Sequence, residues 1–152
     1  MNSAEFEEEL RGRFGWKLGK ANKGRRRLYI SPEPEIFEKL VEFLLEEKGG
    51  RLATVTCKDE EEEFKLLYHF SLDERGVMVT VKLPVEKDEE PSTESIAETI
   101  PGAEWIEREV REMFGIEFEN HPAQKRLLKA ESVGDNDFPY RKDFEVEDLE
   151  GE

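Results

Sequence analysis

The chain has 152 residues, enough for one domain with a hydrophobic core, and its 23 Lys and Arg against 38 Asp and Glu give a formal net charge of −15. This charge argues against nucleic acid as a main partner, and the 40% content of charged residues of both signs is typical of heat-adapted proteins. The single cysteine, Cys57, excludes an internal disulfide and a cluster held by several cysteines.

The first third of the sequence predicts two helices and a strand. Apolar residues at helical spacing predict a helix over residues 2–14, and a short strand follows over 26–30. Ser31 is expected to cap a second helix, with Pro in its first turn, that runs to about Lys48 and is stopped by Gly49-Gly50.

The segment 11–30 contains eight basic residues and no acidic one. Such a segment could contact an acidic partner or anionic lipid headgroups. It could equally be a solvated basic patch that offsets the surrounding acid, and composition alone favours this second interpretation.

Three strands are predicted in the middle of the chain, over residues 52–57, 64–72 and 76–85. The third shows the clearest alternation, with Val77, Val79 and Val81 on one side. Together with strand 26–30 they predict an α+β fold, a mostly antiparallel sheet with helices packed on one face. Residues 87–93 are then predicted to form a polar linker, followed by a helical turn over 95–99.

The last predicted helix has Trp105, Ile106 and Val110 on its apolar face and ends where Gly115 can adopt a left-handed conformation. Its other face is charged, with three oppositely charged pairs one turn apart: Glu104 with Arg108, Glu107 with Arg111, and Arg108 with Glu112. Beyond Gly115 the sequence predicts an irregular but apolar-bearing arm, ordered against another molecule. We therefore divide the chain into one α+β domain, 1–115, and an extended C-terminal arm, 116–152, that docks on a partner.

No catalytic or metal-binding constellation is recognisable. His69 lies in an apolar strand and His121 precedes a proline, with no further ligands at the spacing of a zinc site. Cys57 is expected to be a buried, inert thiol, and the carboxylates of the last helix are expected to be solvated or paired. The glycines match no phosphate-binding loop. No apolar run is long enough to cross a bilayer and no signal peptide is recognisable, so membrane association is expected only through partners.

Several motifs of the C-terminal third occur together in a specific order. They are Pro91-Ser92-Thr93, Trp105-Ile106-Glu107-Arg108-Glu109, Met113-Phe114-Gly115-Ile116, Phe118, His121-Pro122, Arg126 and Arg141-Lys142-Asp143. In order and spacing they resemble the thirty-kilodalton subunit family of respiratory complex I, including its counterparts in membrane-bound hydrogenases and sulfur-reducing complexes. The sequence departs from the family pattern at Glu112, where Asp is usual, and at residues 137–140, where Gly-His-Pro-Leu is usual.

This resemblance implies a non-catalytic subunit in the hydrophilic arm of a complex I-like membrane-bound oxidoreductase, of the hydrogenase, sulfur reductase or quinone reductase type, coupled to ion translocation. The chain would hold no cofactor or metal and would lie peripherally on the cytoplasmic side of the membrane. Its partners would be the large catalytic subunit and neighbouring subunits that carry the iron–sulfur clusters. The docking surface implied by the resemblance comprises Glu107, Arg108, Glu109, Met113, Phe114, Gly115, Ile116, Phe118, His121, Pro122, Arg126, Arg141, Lys142 and Asp143.

Physical roles within this surface follow from residue type. Phe114, Ile116 and Phe118 are predicted apolar anchors, and Arg126 and Arg141 can each bind a partner carboxylate through two hydrogen bonds. Two alternatives stay open: the Met113–Phe114 pair could belong to this chain's own core, and residues 141–143 could be a solvated charge run. A different class of protein also stays open, a free-standing soluble acidic regulator or small enzyme whose arm folds back on its own sheet.

Overall fold

The computed structural model describes residues 3–88, 91–119 and 121. The first part contains helix α1 (Ser3–Phe14), a 3-10 turn over Gly15–Leu18, and the paired strands β1 (Lys20–Lys23) and β2 (Arg27–Ser31). A 3-10 turn over Pro34–Ile36 then leads into helix α2 (Phe37–Glu42), which ends in a π-helical turn over Phe43–Glu47. The helices and strands are α1 (Ser3–Phe14), β1 (Lys20–Lys23), β2 (Arg27–Ser31), α2 (Phe37–Glu42), β3 (Arg51–Asp59), β4 (Glu63–Leu72), β5 (Val77–Glu86), β6 (Ser92–Glu94), α3 (Ala103–Phe114) and β7 (Glu117–Glu119).

Five strands form one sheet in the order β1-β2-β5-β4-β3. β1 pairs antiparallel with β2, and β2 pairs parallel with β5 in a register that places Leu28 opposite Val79, so the sheet is mixed. β6 and β7 form a separate two-stranded parallel sheet. The predicted α+β class is confirmed.

The first compact unit comprises Met1–Thr56 and Leu66–Leu83. Its core contains Phe6 of α1, Leu40 of α2 and Val79 of β5, all fully buried. In the same core the ring of Phe37 lies 4.9 Å from that of Tyr68. Apolar residues that alternate along the strands therefore meet the apolar stripes of the two helices, as the periodicity predicts.

The second compact unit comprises Cys57–Lys65 and Pro84–Glu152, of which the structure describes 57–65, 84–88, 91–119 and 121. Phe64 packs against Phe114 with ring centroids 6.2 Å apart, and Ile116 and Phe118 are buried. This unit contains α3, β6 and β7. The expectation of an irregular chain after Gly115 is therefore wrong for β7, whereas the rest of the predicted arm, 122–152, lies outside the described residues.

Two local predictions are corrected. Ser31 does not cap a helix, because it is the last residue of β2 and pairs with Lys20, and the helical turn begins only at Pro34. β1 was not predicted, since its Lys-Ala-Asn-Lys sequence has no apolar alternation and the strand forms by pairing with β2. The close approach of the two strands depends on Gly19, where a Cβ atom would lie 2.0 Å from the carbonyl oxygen of Ser31.

Candidate functional site

Helix α3 positions most of the described residues that were predicted to form a docking surface. Its apolar residues at helical spacing, Val110, Met113 and Phe114, are buried in the second unit. Gly115 ends the helix at φ 77°, in the left-handed region, and its N–H donates to the carbonyl of Arg111 at 2.9 Å. The alternative left open for Met113 and Phe114 is thus resolved in favour of this chain's own core.

Glu107 is fully buried, although the sequence predicted a charged and solvated face at this position. Its Oε1 accepts hydrogen bonds from Ser95 Oγ at 2.9 Å and from the backbone N–H of Ile96 at 3.1 Å. Burial raises the pKa of Glu107 to about 7, and the hydrogen bonds from Ser95 and the 96–97 backbone offset part of that rise. Among the described residues its Oε2 has no hydrogen-bond partner.

The predicted pairing of Glu107 with Arg111 is wrong, because each side chain has a different partner. Arg111 forms an ion pair with Glu117 of β7 at 3.2 Å, while Glu107 bonds to the segment before the helix. The pair of Glu104 with Arg108 is present at 3.9 Å. Helix α3 is thereby tied to the segment that precedes it and to the strand that follows it.

Ile116 and Phe118 were predicted as apolar anchors, and their side chains lie inside this chain's own fold. Ile116 is 0% exposed and Phe118 is 1% exposed. The backbone N–H of Glu117 donates to Pro91 at 2.8 Å, and that of Ser95 donates to Glu119 at 3.0 Å. β7 is therefore fixed against β6, and neither apolar side chain is accessible to another molecule in this conformation.

His121 is the last described residue and lies beside the start of α3. Its Nε2 donates to the carbonyl oxygen of Glu104 at 3.0 Å, and its backbone N–H donates to Phe118 at 3.3 Å. The histidine thus directs the chain back toward α3 after β7. The other predicted docking residues, Pro122, Arg126, Arg141, Lys142 and Asp143, lie outside the described part of the chain.

The exposed face of α3 is centred on Trp105, and Arg108 and Glu109, one turn further along the helix, are half-buried beside it. Trp105 is 55% exposed, and the guanidinium of Arg108 stacks over its indole ring at 5.8 Å from the centroid. The sequence placed Trp105 on the apolar core face, which is wrong. An exposed tryptophan held by a neighbouring arginine is a typical anchor for a protein contact.

The remaining predictions concern metal binding, membrane spans, His69 and Cys57. No group of three or more His, Cys, Asp or Glu there could hold a metal ion, and no described helix could span a membrane. His69 contacts the hydroxyls of Thr80 at 2.9 Å and Thr56 at 3.2 Å, as expected for a packed histidine. Cys57, expected to be buried, is half-buried.

Comparison with known protein families and sequences finds one family repeatedly. Residues 30–150 match the family described as the 30 Kd subunit of respiratory-chain NADH dehydrogenase. The C subunit of NADH-quinone oxidoreductase from Rhodobacter capsulatus is 35% identical over 123 residues, which cover 77% of this chain and 60% of the relative. Its counterpart from Xanthobacter autotrophicus is 42% identical over 85 residues, 55% of this chain and 38% of the relative. The chain therefore spans 60% or less of the length of these curated relatives.

Two solved structures share the fold. A chain of the membrane-bound sulfane sulfur reductase, an archaeal respiratory membrane complex, superposes with a TM-score of 0.84 and 22% identity, covering 94% of this chain and 85% of the other. The trypsin-resistant fragment of Nqo5 superposes with a TM-score of 0.65 and 23% identity, covering 79% of this chain and 97% of the fragment.

Proposed function

The chain belongs to the family of the 30 Kd subunit of respiratory-chain NADH dehydrogenase, and on that basis we propose that it is a non-catalytic subunit of a complex I-like membrane-bound oxidoreductase. In this role it packs against the large catalytic subunit and supports electron transfer coupled to ion translocation. It holds no cofactor, and the iron–sulfur clusters lie in partner subunits. It associates peripherally with the cytoplasmic side of the membrane through those partners.

The electron acceptor is quinone, protons or sulfur in this proposal, since all three types fit the family resemblance. The extent of the structural likeness to the sulfane sulfur reductase chain, over 94% of this chain, favours testing a sulfur reductase first. The partner subunit that contains the acceptor site determines which of the three electron acceptors is reduced.

The observation that carries the docking role is the exposed face of α3. Trp105 presents a large apolar surface, and Arg108 holds the indole from one side while pairing with Glu104. The buried neighbours of this face give it a fixed shape: Glu107 holds the helix to the 95–97 segment, and the buried Phe118 anchors β7. A rigid helix that exposes an aromatic residue in its first turn matches the pattern of stable interfaces, in which a preorganised aromatic anchor fills a pocket of the partner.

The first test is affinity purification of the tagged chain from detergent-solubilised native membranes, with mass spectrometry of the co-purifying proteins. We expect a large catalytic subunit together with iron–sulfur and antiporter-like membrane subunits. The metal ligands of that large subunit would then identify the electron acceptor. Recovery of a lone monomer from cytosol would overturn the proposal and favour the free-standing acidic protein.

The second test compares the two exposed tryptophans. Trp105→Ala removes the proposed anchor and is expected to weaken association with the large subunit about 30-fold, as for a central tryptophan worth about 2 kcal/mol. The control is Trp16→Ala, since Trp16 is 73% exposed and lies in the other compact unit. Equal recovery of partner subunits with both variants would show that Trp105 and α3 are not part of the interface.

A further inference from the structure

Seven of the eight cations in the basic segment 11–30 divide into two groups by their side-chain partners. Four of its cations pair with glutamates of the same unit: Arg11 and Lys23 with Glu7, Arg13 with Glu47, and Lys17 with Glu35. Arg11 also donates to the carbonyl of Gly19 at 2.8 Å. These residues offset local acid, as the solvated-patch interpretation expects.

The arginine turn, Gly24–Arg25–Arg26–Arg27, is different. All three arginines are exposed, and in the described part of the chain no carboxylate lies within ion-pair distance of any of them. The charge of Arg27 acts instead on His69, whose pKa is lowered first by burial and then by this guanidinium. In a protein with a formal net charge of −15, this turn is a local patch of positive charge.

The backbone of the arginine turn is firmly held. Gly24 N–H donates to the carbonyl of Arg27 at 2.8 Å, and Met78 N–H donates to that of Arg26 at 2.9 Å. Ser3 Oγ, at the start of α1, donates to the carbonyls of Gly24 and Arg25. The three guanidinium groups therefore project from a fixed turn, which lowers the entropy lost when they bind a ligand.

A pocket of about 500 Å³ opens at this turn and is lined by the arginine turn and Tyr29. The amine of Lys82 lies 5.3 Å from the centroid of the Tyr29 ring, which adds a fourth cation beside the pocket. Tyr29 supplies an apolar wall with a hydroxyl at its end, a common feature of peptide-binding surfaces.

We propose that the arginine turn and Tyr29 bind an acidic peptide segment of a partner protein, one with several closely spaced Asp or Glu residues. The planar guanidinium groups of three successive arginines are spaced along the turn, so several carboxylates can each accept two hydrogen bonds. A single phosphate fits less well, because such a site concentrates its donors at one point and these side chains are all exposed. An anionic membrane also fits less well, since an extended negative surface would meet the acidic residues that dominate the chain.

This contact uses residues of the first compact unit, whereas the proposed contact through α3 uses residues of the second. The test therefore uses the full chain without any other subunit, so that its failure leaves the proposed function untouched. The probe is an octaglutamate peptide with a neutral fluorophore, and binding is measured by fluorescence anisotropy at two salt concentrations.

The key variant is Arg25→Glu/Arg26→Glu, and the matched control is Lys39→Glu/Lys58→Glu. The control lysines are also exposed and also lack an ion pair among the described residues, so both variants change the net charge equally. We expect the arginine variant to weaken peptide binding about tenfold, since each reversal replaces an exposed attraction by a repulsion, and the control to leave it unchanged. If circular dichroism shows that charge reversal disturbs folding, the test uses Arg25→Ala/Arg26→Ala instead. Its matched control is then Lys39→Ala/Lys58→Ala.

Four results would overturn the proposal. The first is that the peptide fails to bind the unmodified chain. The second is that the two variants weaken peptide binding equally, which would mean that net charge alone explains the effect. Inorganic phosphate displaces the peptide at constant ionic strength, which would indicate a compact anion site. Vesicles containing phosphatidylglycerol sediment the unmodified chain but not the arginine variant, which would indicate a lipid surface.

Discussion

Replacing Glu107 by Gln is expected to change how the stability of the protein depends on pH. The carboxyl has an ordinary pKa of 4.5 when exposed and a pKa raised to about 7 by burial in the fold. The folded chain therefore binds this proton more tightly than the unfolded chain does. Stability from this group is fully present below pH 4.5 and is lost as the pH rises through 7.

The magnitude follows from the two pKa values. Since a tenfold change in proton affinity corresponds to about 1.4 kcal/mol, the whole effect is about 3 kcal/mol. Between pH 5 and pH 8.5 the free energy of unfolding is expected to fall by about 2.5 kcal/mol through this group alone. The Glu107→Gln variant cannot titrate, so its curve lacks this part of the fall. At acidic pH the amide places two unpaired N–H donors where the protonated carboxyl has one unpaired O–H, and the additional donor lowers stability by about 1 kcal/mol.

The assay is urea unfolding of the two proteins at a series of pH values and constant ionic strength. The control is Glu98→Gln, because Glu98 is exposed in the turn before α3. Its curve should run parallel to that of the unmodified protein. If the Glu107→Gln and unmodified curves also ran parallel from pH 5 to 8.5, the buried carboxyl would not be the titrating group and the reasoning would be refuted.

Three further substitutions test the packing within the two units. Gly19→Ala should lower the free energy of unfolding in urea by about 2–4 kcal/mol, because the new Cβ would lie 2.0 Å from the carbonyl oxygen of Ser31 at a φ of 74°. The control is Gly12→Ala, whose Cβ would have no non-neighbouring atom within 4 Å, and this variant should be as stable as the unmodified protein or more stable. Phe118→Ala should cost about 3–5 kcal/mol, since the ring is 1% exposed, and a loss below about 1 kcal/mol would mean that β7 is not packed as described. Gly115→Ala should cost about 1 kcal/mol because of the left-handed φ of 77°, and a thermal melt with no change in midpoint would contradict this.

Two positions of α3, Trp105 and Glu107, show where sequence reasoning was insufficient. On a helical wheel Glu107 lies in the same stripe as Val110 and Phe114, and Trp105 lies on the other side. Assigning positions by polarity placed Trp105 in the core and Glu107 in solvent, whereas the structure has Trp105 55% exposed and Glu107 fully buried. Helical spacing alone would have assigned Glu107 to the buried side and Trp105 to the exposed side. The polarity of the two residues led to the opposite assignment.

The short strands were missed for a related reason. β1, β6 and β7 have three or four residues each, too few to show an alternating pattern. Each exists because a neighbouring strand offers hydrogen bonds in register, as β2 does for β1. Pairing between distant segments cannot be deduced from local residue preference.

The sequence by itself determined what depends on local spacing: the amphipathic stripes of α1 and α3, the alternation along β5, the end of α3 at Gly115, and the excess of acidic charge. Only the tertiary structure decided which charges are neutralised within the chain and which face outward. That outcome depends on which groups distant segments bring together. Glu107 is buried because the 95–96 segment supplies its donors, and the arginine turn stays unpaired because no described carboxylate lies within ion-pair distance of it. Hydrogen bonds and ion pairs act over a few ångströms in space, and separation along the chain does not specify that distance.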